Sequence, residues 1–188
     1  MKTDDTNSAG LRLYSHTVNF QDIIIVVNDD WLTFAQQNEA PQLTRDVVIG
    51  SSLWRFIAGL ETQQIYQLLM RQVRQSQERI VFTFRCDSPD VRRYLWMEIV
   101  PAPEQAVEFR NYLLRVEPRR HVRLLDVTAR RNVDLLHMCS WCSRVWCEES
   151  WQPVEDAVKL LGLFGPAELP QITHGICPDC ALLFEELA

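Results

Sequence analysis

The chain has 188 residues, of which 47% are apolar and 23% charged, enough for one average domain with a smaller companion and a packed core. A net charge of -6 excludes the broad basic face that general nucleic-acid binding needs. The polar, acidic start Met1-Lys2-Thr3-Asp4-Asp5 is unlike a secretory leader, and the longest aliphatic run, Ile23 to Val27, is too short for a bilayer; a soluble, cytoplasmic chain is expected.

Residues 1–10 are polar and are expected to fray. Ile23 to Val27 reads as a buried strand. Asn28-Asp29-Asp30 closes it with capping chemistry, and a short helix is predicted over Trp31 to Gln37. Asn38 to Thr44 reads as a loop. Gly50-Ser51-Ser52 then caps a helical piece with Leu53, Trp54 and Ile57. Glu61 to Gln77 is the clearest helix, with Ile65, Leu68, Leu69 and Val73 at helical spacing and no Gly or Pro.

Three strands follow. Ile80, Phe82, Phe84 and Cys86 share one face of the first, and Asp87-Ser88-Pro89-Asp90 is a turn by composition. Leu95, Met97 and Ile99 share a face of the second, Tyr94 to Val100, which Pro101 and Pro103 stop. The third, Val107 to Val116, loses its alternation near Asn111, which predicts a bulge. The inward set is large (Phe82, Phe84, Trp96 or Met97, Phe109 or Tyr112), so a filled core is expected rather than an open cavity.

Pro118 to Arg131 carries five arginines around the single carboxylate Asp126 and reads as a basic connector, with a short strand or turn at Val122 to Val127. A small module starts near Asn132, with a helix from Pro153 and a last short helix after Pro178. The domain reading is an extension over 1–19, a first domain over 20–118, a linker over 119–131 and a four-cysteine module over 132–188.

The chemistry lies in that module. Cys139-Ser-Trp-Cys142 and Cys177-Pro-Asp-Cys180 are two Cys-x-x-Cys pairs 34 residues apart. A two-residue spacer lets both sulfurs of a pair face one point, so two pairs can close a tetrahedron around one ion. The separation exceeds the about 15–20 residues of common ribbons, but loop entropy grows only logarithmically, at about 0.6 kcal/mol per doubling. Four thiolates suit one structural zinc per chain. They also suit an iron–sulfur cluster, or, without metal, reduced thiols and reversible disulfides. His137 and His174 precede the pairs and are either alternative ligands or outer hydrogen-bond partners of the site; the second is preferred. Trp141, Trp146 and Trp151 are expected to pack around the site as a miniature core. Cys147 reads as a buried bystander. Ser143 and Ala181 follow the pairs where c-type haem attachment requires histidine, which excludes that group.

The order strand, small helices, long helix, then three antiparallel strands resembles a PAS domain. The resemblance is carried by Val27-Asn28-Asp29-Asp30-Trp31-Leu32-Thr33-Phe34-Ala35, Gly50-Ser51-Ser52-Leu53-Trp54 and Phe84-Arg85-Cys86-Asp87-Ser88-Pro89. Met138-Cys139-Ser140-Trp141-Cys142 and Thr173-His174-Gly175-Ile176-Cys177-Pro178-Asp179-Cys180 resemble a cysteine-rich tail found on bacterial PAS sensors and response regulators. The resemblance spans roughly residues 20–182. It implies an α+β fold: a PAS-like antiparallel sheet with flanking helices, plus a small metal-stapled C-terminal module. It also implies a sensory or regulatory role.

No output domain is recognisable, so the expectation is a stand-alone, non-catalytic signalling protein. It would act as a homodimer on an unidentified protein partner, with a zinc-stabilised tail. A redox sensor holding an iron–sulfur cluster or oxidation-labile zinc is the rival, and a dithiol oxidoreductase a weaker third reading. Leu11, Leu13 and Val18, outside the expected core, are candidates for a dimer interface. Cys86 lacks the helical setting of a flavin-adduct cysteine, which argues against photochemistry. His16 and His121 flank the domain, where neither suits a haem. Arg85, Asp87, Arg92 and Arg93 cluster around a predicted turn and form a candidate anionic-ligand or partner surface.

Overall fold

The computed structural model describes residues 12–38, 40–165 and 167–187. Residues 1–10 and the candidate interface residue Leu11 lie outside them.

Five antiparallel strands form the first sheet, in the order β2-β1-β5-β4-β3: β1 (Leu13–Val18), β2 (Ile24–Val27), β3 (Ile80–Arg85), β4 (Val91–Pro101) and β5 (Val107–Pro118). Between β2 and β3 run α1 (Asp29–Gln37), α2 (Arg45–Val48), a 3-10 turn (Leu53–Arg55) and α3 (Leu60–Ser76). One face of the sheet is buried under these helices: Tyr14, Val18, Ile24, Val27, Ile80, Phe82, Leu95, Met97, Ile99, Val107 and Phe109 are all buried. Period-two alternation dictates this division, and it turns Trp96, 39% exposed, to the outer face while Met97 points in.

The strand β1 corrects the sequence reading. Residues 13–18, expected in an extension, pair with β2 on one side and β5 on the other. Three mixed hydroxyl and histidine positions break the aliphatic pattern there, so the segment carries little strand signal. Asn28 fixes the junction. Its Oδ1 accepts from the backbone N–H of Trp31 (2.9 Å), capping α1, and of Ser15 (3.1 Å), while its Nδ2 donates to the Leu13 carbonyl (2.8 Å). Val18 is fully buried and therefore no interface residue. The predicted bulge exists three residues beyond Asn111: Tyr94 faces Arg115 and Leu95 faces Leu113, which leaves Leu114 as the extra residue of β5.

Helix α3 packs Leu69, Met70 and Val73 onto the sheet. Leu68, assigned to the apolar stripe from spacing, is 52% exposed, and Met70 takes its place in the core.

The chain then builds a second sheet, ordered β8-β7-β6-β9, from β6 (Arg131–Cys139), β7 (Val145–Cys147), β8 (Ser150–Gln152) and β9 (Leu169–Gly175). Helix α4 (Val154–Leu160) covers it, with Leu136, Met138, Val145, Val154, Ala157 and Val158 in a core of their own. Helix α5 (Pro178–Leu187) follows β9. The two sheets are not independent modules: Cys139, Trp141, Cys177 and Phe184 belong to the core cluster of the first.

Candidate metal centre

The site begins with strand direction. β6 and β9 are parallel, and Cys139 at the end of β6 stands opposite Gly175 at the end of β9. The segments after both strands therefore leave at the same end, which places Cys139 and Cys142 beside Cys177 and Cys180. Parallel neighbours require a crossover of a dozen residues or more. The 34-residue separation that looked long for a ribbon is that crossover, built from β7, β8 and α4.

Each pair sits in a tight turn. The Cys139 N–H donates to the Arg144 carbonyl (2.8 Å) and the Ser143 N–H returns to the Cys139 carbonyl (3.0 Å), with Ser143 in the left-handed region at φ 58°. Cys177 precedes α5, whose first turn carries Cys180, and the Ala181 N–H donates to the Cys177 carbonyl (2.9 Å). The Ser140 N–H donates to the Gly175 carbonyl (3.0 Å) and joins the two turns.

All four Sγ atoms lie within 4.8 Å of one another, and Cys142 and Cys177 are 3.6 Å apart. A tetrahedral zinc with bonds of about 2.3 Å needs sulfur edges of about 3.8 Å, so the donor set fits such an ion. The electrostatics agree. Hydrogen bonds from the Cys142 and Cys180 thiols hold Cys139 far below an ordinary thiol, and the same bonds push Cys142 up to about 12 and Cys180 up strongly. One negative charge is comfortable at this spacing and four are not, unless a cation shares them. Cys139 and Cys177 are buried, while Cys142 and Cys180 are half-buried.

Among the described residues this grouping contains the four cysteines and neither histidine. His137 is exposed on β6. His174 lies on β9 opposite Met138; burial lowers its pKa and the Cys139 thiolate opposes that. Of the three tryptophans, Trp141 is buried, but it packs on Tyr66 of α3 (6.0 Å) and Phe184 of α5 (4.8 Å), inside the first core. Trp146 is 41% exposed and meets Trp151 across β7 and β8 (5.8 Å), so there is no three-tryptophan core around the thiols. Cys147 is buried in the second core as a small apolar residue.

The expected charged surface is turned inward. Arg85 pairs with Asp87, and Asp87 with Arg119 (2.9 Å); Glu155 of α4 receives both Arg119 (3.1 Å) and Arg92 (2.6 Å). Arg93 lies over the Phe34 ring at 5.7 Å. Asp87 and Arg119 are 1% and 4% exposed. This cluster ties the β3–β4 turn to the tail of the same chain. Burial alone would raise the Glu155 carboxyl, but the Arg92 hydrogen bond and the two guanidinium charges outweigh it and hold it low. Two more arginines of the basic connector make internal bonds, while Arg120 is exposed. Arg123 donates to the Ala167 carbonyl, and Arg131 to those of Leu124, Asp126 and Pro170. A 3-10 turn (Arg123–Leu125) stands where a short strand or turn was expected.

Sequence reasoning missed the docking contacts. Thr62 and Ser140 share a hydrogen bond between hydroxyls (2.7 Å), and the Arg85 N–H donates to the Trp141 carbonyl (2.7 Å). At Gly59 the chain needs φ +85°, and a Cβ there would stand 2.6 Å from the His174 carbonyl oxygen. That glycine, just before α3, was the available signal of a close backbone approach. His16 was also misplaced. It lies inside the fold, stacked on Phe109 (4.7 Å) and edge-on to Trp31 (6.3 Å), with both ring nitrogens buried and without hydrogen-bond partners.

No family model and no curated protein matches the chain. Among solved structures, a sensory box sensor histidine kinase from Vibrio cholerae is similar over 56% of this chain and 84% of that one, with 8% identity and a TM-score of 0.41. The molecule is an α+β protein with a five-stranded antiparallel sheet, flanking helices and a C-terminal cysteine cluster fit to hold a metal ion. No helix among the described residues is long and apolar enough to cross a membrane.

Proposed function

We propose that this is a non-catalytic bacterial PAS signalling protein whose tail is held together by one structural zinc per chain. The observation that carries the reading is the cluster of four thiols at the junction of the two sheets, set into the core beneath a PAS-like sheet. A four-thiolate sphere leaves no coordination position for substrate, which suits architecture rather than turnover. Signalling would proceed by dimerisation and by contact with a protein partner. The outer face of the first sheet, with Trp96 and Val116 exposed, supplies apolar area for a second copy. A redox-sensing reading, with an iron–sulfur cluster or oxidation-labile zinc, is favoured by the half-buried positions of Cys142 and Cys180.

Metal analysis of protein purified with and without oxygen tests this. One zinc per chain in a colourless protein is expected, with loss of the metal in Cys139→Ser and Cys177→Ser. Visible absorbance with stoichiometric iron would transfer the site to the redox reading. Full metal content in both variants would remove the ligand assignment. Light scattering that shows monomer alone over a wide concentration range would remove the dimer.

A further inference from the structure

Helix α5 occupies a place inside the first domain. Phe184 is its buried residue, and the ring stands edge-on to Phe82 of β3 (5.0 Å) and to Trp141 (4.8 Å). Trp141 in turn lies against Tyr66 of α3 (6.0 Å). These two tail rings fill the cleft between α3 and the inner face of β3.

The anchorage of α5 is uneven. Its first turn holds Cys180 and follows Cys177. Beyond that turn, Phe184 is the buried side chain, Leu187 packs half-buried against the same core, and a hydrogen bond from Gln72 Nε2 to the Leu187 carbonyl (3.2 Å) reaches the far end. Leu182 and Leu183 are exposed. A helix of ten residues does not persist alone in water, so tertiary fixing must hold it. The rest of the tail has other supports. The core of Leu136, Met138, Val145 and Val158 contains no thiol of the cluster, and Glu155 is bound to Arg92 and Arg119.

We propose that α5 is a metal-latched plug: the four thiolates around a divalent cation keep Phe184 against Phe82 and Trp141 in the aromatic cleft between α3 and β3, and loss of the cation frees α5 and opens that cleft. The proposal rests on the metal reading of the four cysteines given above. Without a shared cation the four sulfurs repel as thiolates or revert to thiols, and the free energy of metal binding no longer contributes to holding the turn. The coupling is reciprocal. Whatever factor the metal adds to docking, docking adds to metal affinity. Phe184 is not one of the four ligand residues, yet its removal must weaken metal binding.

The test uses the full chain under reductant, loaded with one zinc or stripped by a chelator, with hydrogen exchange read by mass spectrometry. Stripping is expected to raise exchange in α5, in β3 and along α3, with β1, β2 and the α4 region still protected. A solvatochromic apolar dye should bind the stripped form alone. Phe184→Ala should retain one zinc, expose β3 and α3 while loaded, and bind zinc about tenfold or more weakly in a chelator competition. Phe184→Leu should recover much of the affinity. The plug is overturned if stripping alters only the cysteine turns, if it unfolds every segment together, or if Phe184→Ala binds zinc as tightly as the parent. A chain that takes up no ion at all sinks the metal reading and the plug with it; a chain that binds one ion without protecting α5 sinks the plug alone.

Discussion

His16 sets a pH dependence that can be worked from the structure. Its ring is held between Phe109 and Trp31 with neither nitrogen hydrogen-bonded, and burial pushes its pKa from 6.5 down to about 4. A lowered pKa means that the unfolded chain binds the proton more readily than the folded one. Stability from this residue is therefore complete above pH 6.5 and is lost as pH falls toward 4. At pH 5.5 the unfolded histidine is mostly protonated and the folded one mostly neutral, a difference of about 1.4 kcal/mol that grows to about 3 kcal/mol near pH 4. Urea unfolding at pH 7.5, 6.5 and 5.5 reads the loss. Carboxylates also titrate at the acid end, so the diagnostic quantity is the difference from His16→Phe, which preserves the stack and cannot be protonated. The variant should gain about 1.4 kcal/mol on the parent between pH 7.5 and 5.5. Parallel pH profiles for the two proteins would refute the buried, unpartnered placement of the ring.

Three further outcomes follow from packing and charge. Gly59→Ala and Gly50→Ala both force a side chain to positive φ, at about 1–2 kcal/mol each, but only at Gly59 does the new Cβ strike a carbonyl, that of His174. Denaturation midpoints should rank Gly59→Ala clearly below Gly50→Ala, and equal losses would contradict the close contact between β9 and the start of α3. Arg119→Met leaves Asp87 and Glu155 short of a buried partner and should cost about 3 kcal/mol. Asp87→Asn combined with Arg119→Met should cost less than the two single losses together, and strict additivity would show that the pair does not interact. Breaking the exposed pair of Arg144 and Asp179 with Asp179→Asn should change stability by less than about 1 kcal/mol, in the same denaturation assay.

Helices α1 and α3 and the last three strands of the first sheet were legible because their signals are local, whereas the single turn of α2 was not read. Asn28 caps, the apolar spacing of α3 is uninterrupted, and Phe82, Leu95, Met97 and Ile99 alternate. The thiol set was legible for the same reason, since two residues between cysteines fix a turn by themselves. What stayed hidden depends on partners remote in sequence. β1 reads as Leu-Tyr-Ser-His-Thr-Val and gains its identity from β2 and β5. β6 begins with polar residues, and its register with β9 spans the whole crossover. Charge was the most misleading signal. Arginines at a turn and in a connector look solvated on paper, but Arg119 is nearly inaccessible once Asp87 and Glu155 surround it.

The two attachments between tail and sheet differ in kind, and the difference bears on how the molecule could respond to a change in its surroundings. At one end, Arg85, Arg92 and Arg119 meet Asp87 and Glu155 in ion pairs that need no added ligand. At the other end, four sulfurs are placed to share a cation, which a stronger ligand would take away. A chain joined only by the first would be fixed. A chain joined only by the second would keep just the Thr62–Ser140 and Arg85–Trp141 hydrogen bonds and the packing of Trp141 on Tyr66 when the ion left. Both together would restrict any release to the segment distal to the crossover, which is α5 with Phe184, and would keep β6 to β9 in register to capture it again.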